Sequence, residues 1–191
     1  MKKTAVLIYT SFCNFELSVA LEILSLTEKP ITIFASTLDP VRSEEGLTVI
    51  PDANIYEINI EEYDSLLLPG AMDIRDAIEN KEIIQFIQKF HDKPIGAISI
   101  APILLVKAGL LAGKPFMAGI NKEELKEEGF TDKELHQMID WDENLRNPIK
   151  EGYIISDNII TSVSYEFVKW GLAFGNILGL DLSPKTFGIS E

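Results

Sequence analysis

The sequence predicts an α/β fold in which helices cover both faces of a mostly parallel sheet. Three observations carry that expectation. Short runs such as AVLIY (residues 5–9) are apolar throughout, as a strand buried on both sides requires. Stretches of helical periodicity alternate with these runs, and that alternation gives parallel strands joined by crossover helices. The chain has 191 residues, 46% hydrophobic and 25% charged, which is enough for one large core and too apolar for a disordered polymer. Residues 1–191 read as a single domain whose rhythm breaks only in a divergent helical segment at about 121–150.

The elements follow in order. MKKTAVLIYT has two lysines ahead of an apolar run, as a signal peptide would. The run is short, however, and no small-residue cleavage site follows, so it reads as the first buried strand. Leu17, Ala20, Leu21 and Leu24 share one face of a helix over residues 15–26. ITIFAS (31–36) is a second strand, and VR, a turn near Glu44 and LTVIP form a small hairpin. DSLLLPG (64–70) is a third strand ending in a Pro-Gly turn. Asn80 caps a helix whose Ile83, Ile84, Ile87 and Phe90 face the core, Pro94 stops it, and IGAI (95–98) is the fourth core strand. The segment 121–150 is charged and helix-prone, anchored by Leu125, Phe130, Leu135, Met138 and Trp141. A hairpin turning at Asp157-Asn158 and a helix over 165–178 close the chain.

Bulk chemistry excludes several functions. A net charge of −13 is wrong for a nucleic-acid surface, which needs clustered Lys and Arg. A denser acidic patch at residues 122–128 fits a soluble cytoplasmic protein better than it specifies a partner. One cysteine, Cys13, leaves no internal disulfide or multi-cysteine zinc site, and two histidines, His91 and His136, are too few for a histidine metal centre. No apolar run spans a membrane. The expected partner is a small molecule, with no metal and no cofactor.

In such a sheet, ligands bind beyond the carboxyl ends of the strands. Three reversals meet there: TSFCNFE after the first strand, PGAMD after the third, and Ser99 after the fourth. Ser99 sits between Ala97 and Ala101, with a strand before it and an apolar helix after it. That spacing suits a nucleophile elbow, a tight turn that lifts one side chain and leaves backbone N–H donors free. A serine capping the following helix has almost the same pattern.

PIGAISIAPILLVKAGLLAGK resembles the elbow segment of the ThiJ/PfpI family, amidotransferase-like proteins that include a parkinsonism-associated deglycase. NFELSVALEIL, LLLPGA and DNIITSVSYEFVKWGLAFGNILGL resemble the family's first helix, its Pro-Gly turn and its C-terminal hairpin with helix. The resemblance implies a flavodoxin-like three-layer sandwich and a homodimer. It places Ser99 where the family has a nucleophilic cysteine and Glu16 as the acidic partner of that position. Ile100 stands where protease-like members have a histidine, and Ala71 where the turn has a second glycine. Gly70, Ala71, Ile100 and Cys13 are then pocket residues, with the N–H groups of Ile100 and of Gly70 or Ala71 as oxyanion donors.

A serine is not a cysteine. A thiol ionises near neutral pH, whereas a hydroxyl needs a base as it attacks. His91 precedes the fourth strand and belongs at the opposite edge of the sheet. His136 either reaches the mouth of the site or lies exposed on its helix. Cys13 is either a small buried filler or a displaced reactive thiol. Trp141 and Tyr165 line the pocket or fill the core, and Trp170 belongs to the core. The reading is therefore a non-catalytic or repurposed small-molecule-binding member. The alternative is a serine-dependent amidase or hydrolase, or a deglycase or glyoxalase-type enzyme, using the same elbow.

Overall fold

The computed structural model describes residues 1–147 and 149–189; Pro148 of the expected helical segment and the last two residues lie outside them. Seven strands form one sheet, and their order shows where the chain reverses direction across it. The strands are β1 (Lys3–Leu7), β2 (Ile31–Ala35), β5 (Ala53–Asn54), β6 (Tyr63–Leu68), β7 (Ile95–Ile98), β8 (Tyr153–Ser156) and β9 (Ile159–Ser162). They lie in the order β5-β2-β1-β6-β7-β9-β8, parallel throughout except that β8 runs antiparallel to β9. The chain first builds outward from β1 to β2 and β5, then returns to the other side of β1 with β6. A crevice therefore opens between the carboxyl ends of β1 and β6, with β7 alongside.

Leu66, Leu67 and Leu68 are all fully buried although successive side chains point to opposite faces, so both faces are covered. α1 (Asn14–Leu26) and α8 (Phe167–Ile177) pack together, while α2 (Arg75–Glu79), α3 (Lys81–Gln88) and α4 (Pro102–Lys107) form a second group. This is the flavodoxin-like α/β sandwich that the sequence predicts. Trp170 is a core residue, as expected, with its indole N–H on the Ile160 carbonyl at 3.3 Å. Asn80 caps α3 by accepting from the N–H groups of Glu82 and Ile83. The Asp157-Asn158 turn joins β8 to β9, with Asp157 at φ 55°.

The short hairpin β3 (Val41–Arg42) and β4 (Thr48–Val49) stands apart from the sheet. The region 121–150 holds three short helices, α5 (Lys122–Glu127), α6 (Asp132–Leu135) and α7 (Trp141–Arg146). Trp141 is buried at 4% exposure, which decides it for the core, and Tyr165 is open at 62%. The closing helix starts later than expected, because residues 164–166 form a 3-10 turn before α8. α2 has no counterpart in the sequence reading. Its five residues are too few to show a periodicity.

Candidate functional site

The local rule at the end of β7 is steric. Ser99 takes φ 62°, a left-handed conformation that costs a non-glycine residue about 1 kcal/mol or more. Fixed partners hold it there: Ser99 N–H donates to the Ser162 carbonyl at 2.9 Å, and its own carbonyl accepts from Gly119 N–H at 2.7 Å. Ala97, Ile98 and Ala101 are completely buried around it, so nothing larger fits beside the turn. α4 begins only at Pro102, with Ala101 as its cap residue and no side-chain cap bond. Ser99 is therefore an elbow residue, and the helix-capping alternative is removed.

Gly70, at the end of the β6 turn, faces Ser99 at close range. A Cβ on Gly70 would come within 2.6 Å of the Ser99 Cβ and 2.7 Å of Glu16 Oε2, so only glycine allows this approach. The first turn and the β6 turn are laced together: Cys13 N–H donates to the Gly70 carbonyl at 2.8 Å and Met72 N–H to the Ser11 carbonyl at 3.1 Å. The Tyr9 hydroxyl donates to the Pro69 carbonyl and adds a third tie.

Glu16 lies in the first turn of α1 and has no exposed surface. Its Oε2 accepts the Gly70 N–H at 2.6 Å, its Oε1 accepts the Ser164 hydroxyl at 2.7 Å, and Ser99 is a second side-chain partner. Burial pushes the carboxyl above the ordinary glutamate range despite these hydrogen bonds. Glu16 and Ser99 thus meet as the sequence predicts. Ser164 was not foreseen: it is 148 positions from Glu16 and belongs to no local motif.

The oxyanion expectation needs one correction. Gly70 N–H is already donated to Glu16, so it is not available to a ligand. Among the described residues, the N–H groups of Ala71 and Ile100 have no hydrogen-bond acceptor, which leaves them as the free pair. Both residues line a cavity of about 300 Å3 together with Met72, Ser99, Gly119 and Ile120. Glu124, Glu127 and Glu128 complete its wall. The acidic patch, which specified no partner in the sequence, is thus one side of the cavity, with Glu124 and Glu127 exposed and Glu128 half-buried. Its spacing of i, i+3 and i+4 on a helical run was the available signal.

Cys13 is corrected as a pocket residue: it does not line the cavity. Cys13 is 6% exposed, and its thiol donates to Glu44 Oε2 at 2.7 Å on the β3–β4 hairpin. Burial first, then the bond to Glu44, pushes the thiol far above its usual range, so no thiolate forms near neutral pH. Neither histidine reaches Ser99. His91 follows α3, before β7, with Nδ1 near the Gln88 carbonyl at 3.2 Å. His136 caps the end of α6, exposed and outside the cavity lining.

With the elbow, the glycine facing it and the buried acid in place, comparison with known proteins is decisive for family. A model described as the DJ-1/PfpI family matches residues 2–173. The chain belongs to the DJ-1/PfpI family. Among curated relatives, protein/nucleic acid deglycase 2 of Escherichia coli is 32% identical over 61% of this chain and 70% of its own length. A deglycase of Pyrococcus abyssi is 30% identical over 39% of this chain. The matches to an uncharacterised Methanocaldococcus jannaschii protein and to the Pyrococcus deglycases span about half of those proteins, 56% and 46%. A DJ-1 superfamily protein from Agrobacterium tumefaciens superposes with a TM-score of 0.74 at 16% identity, covering 98% of this chain and 94% of its own. That likeness shows the shared DJ-1/PfpI fold. No helix among the described residues is long and apolar enough to cross a membrane.

Proposed function

We propose that this chain is a DJ-1/PfpI member that binds a small molecule in the Ser99 cavity without the covalent thiol chemistry its family resemblance implies. One observation supports the reading above the others: the Ser99 hydroxyl is paired with a buried carboxyl and with no imidazole. A hydroxyl attacks only if a base takes its proton. Glu16 is a poor base in either form. Protonated, it has no capacity to accept that proton, and ionised, it is a weak carboxylate already accepting from Gly70 and Ser164. In the family resemblance a cysteine occupies this elbow, and its thiolate would need no such base.

The test is turnover. Relatives named deglycases make methylglyoxal and its adducts with amines and thiols the first substrates to assay. We expect no turnover by the wild type and measurable turnover by Ser99→Cys, which returns a thiol to a pocket otherwise unchanged. Wild-type turnover that Ser99→Ala abolishes would overturn the proposal. That outcome would favour a second reading, a serine-dependent hydrolase, whose support is the free Ala71 and Ile100 N–H pair beside a strained elbow serine. A homodimer belongs to the same proposal and is checked by light scattering.

A further inference from the structure

The wall of the cavity has a charge that the elbow does not explain. Of its nine lining residues, three are glutamates, Glu124, Glu127 and Glu128, and none is lysine, arginine or histidine. Local cations compensate only in part. Arg75 Nε stands 3.5 Å from Glu128 Oε2, but the same guanidinium is bound to Asp73 through Nε at 3.0 Å. Lys126, on the same helix, is drawn to Asp132 at 2.8 Å. Glu124 spends one oxygen on the Asn121 N–H at 3.0 Å and keeps the other. Ala71 and Ile100, whose N–H groups have no acceptor among the described residues, line the same cavity, so these donors are the ones left for a neutral oxygen acceptor there.

From this juxtaposition we propose that the cavity selects small molecules that join a cationic amine to a neutral carbonyl or carboxamide, and rejects those whose far end is anionic. The carbonyl oxygen is received by the Ala71 and Ile100 N–H groups beside Ser99, and the ammonium by the glutamate wall. Glu124 and Glu127 are exposed and only Glu128 is half-buried, so the attraction for an ammonium is that of a water-accessible, salt-sensitive wall, and a carboxylate is repelled by the same charges. The inference rests on the reading of this cavity as a binding site, but not on whether Ser99 reacts. Turnover by the wild type would overturn the proposed function and leave the charge preference intact.

Three amides of similar size separate the outcomes: β-alaninamide is cationic, propionamide neutral and succinamate anionic. Each is titrated at millimolar concentration into 15N-labelled protein, following the amide signals of Ala71, Ile100 and Gly119. We expect β-alaninamide to bind about tenfold more tightly than propionamide, a difference of about 1.4 kcal/mol, with succinamate weakest. High salt and the double variant Glu124→Gln/Glu127→Gln should shrink that ratio below about threefold. Glutamine serves at the capping position of α5 as glutamate does, so the variant keeps its helix. Equal affinity for the three probes, shifts confined to other amides, an unchanged ratio in the variant, or no binding of β-alaninamide would each overturn the proposal.

Discussion

The elbow and the helical segment that begins at Asn121 both line one cavity, the latter through Glu124, Glu127 and Glu128, and they are built on different principles. The elbow is fixed from a distance: Ser99 is tied to Ser162 on β9, to Gly119 and to Glu16 on α1, amid residues with no exposure. The acidic wall is fixed locally. Two of its short helices close on themselves through capping boxes, Asn121 with Glu124 and Thr131 with Glu134. Only a few anchors, including Leu125, Leu135 and Trp141, reach the core. Its polar ties to other elements include Asn144 donating to the Phe116 carbonyl at 3.0 Å, Gly113 N–H donating to the Gln137 carbonyl at 3.3 Å, and Arg75 beside Glu128 at 3.5 Å; Lys107 of α4 reaches Glu134 at 2.8 Å while lying 4.1 Å over the Phe130 ring. The contrast separates two kinds of support. The sheet fixes the elbow serine, while the acidic side of the same cavity is held largely by its own local caps and a few core anchors.

The largest expected effect tests the rigid side. Gly70→Ala would drive a Cβ to 2.6 Å from Ser99 and 2.7 Å from Glu16, and both neighbours are held. Urea denaturation should show a loss of about 3 kcal/mol, at the upper end for overpacking. A loss below about 1 kcal/mol would mean that the elbow yields, and the contrast with the acidic wall would fail.

Glu16→Ala comes next. It leaves the buried Gly70 N–H and the Ser164 hydroxyl without their acceptor, at a cost of about 2 kcal/mol. The pH dependence has a definite sign. Burial raises the folded pKa of Glu16 above its unfolded value near 4.3, so its contribution is complete below that value. That contribution is lost as pH rises through the folded pKa. Denaturation midpoints of wild type and Glu16→Gln across pH 4 to 8 should therefore diverge, with the wild type losing ground to the variant as pH rises. Parallel curves would show that the acid is not shifted.

Lys107→Ala should cost about 1 kcal/mol, from one partly exposed ion pair and one cation–π contact. Hydrogen exchange should then quicken in α5 and α6 and stay unchanged in β7. Lys107 also holds the Glu134 carboxyl down at about 2 through its hydrogen bond. A lowered carboxylate pKa contributes stability above its unfolded value, and that contribution is lost as pH falls through about 2. Below that pH the variant and the wild type should converge.

The sequence made the rigid side legible because its signals are local and steric. All-apolar runs marked the core strands, Asn80 marked a cap, and Ala97-x-Ser99-x-Ala101 marked a turn with no room beside it. It was less informative wherever a feature depends on distant chain. Ser164 reaches Glu16 only because β9 ends beside β7, and no spacing in the sequence encodes that contact. The sequence left Gly70 and Ala71 as alternative donors beside Ile100; the buried Glu16 carboxyl takes the Gly70 N–H and so leaves Ala71, a choice no local spacing encodes. The acidic run at 122–128 specified no partner in the sequence because charge on a helix is ordinarily solvated; Glu124 and Glu127 are indeed exposed, and only the tertiary fold shows that they also border the Ser99 cavity.

The central claim is that Ser99, though presented as a nucleophile would be, has no base to make it one. Mass spectrometry of folded wild-type protein treated with a fluorophosphonate tests this directly, because the probe phosphonylates serines activated for attack. The peptide containing Ser99 should return unmodified, at the level of denatured protein. Stoichiometric modification of Ser99 in the folded protein, abolished in Glu16→Gln, would contradict the account and make Glu16 the base.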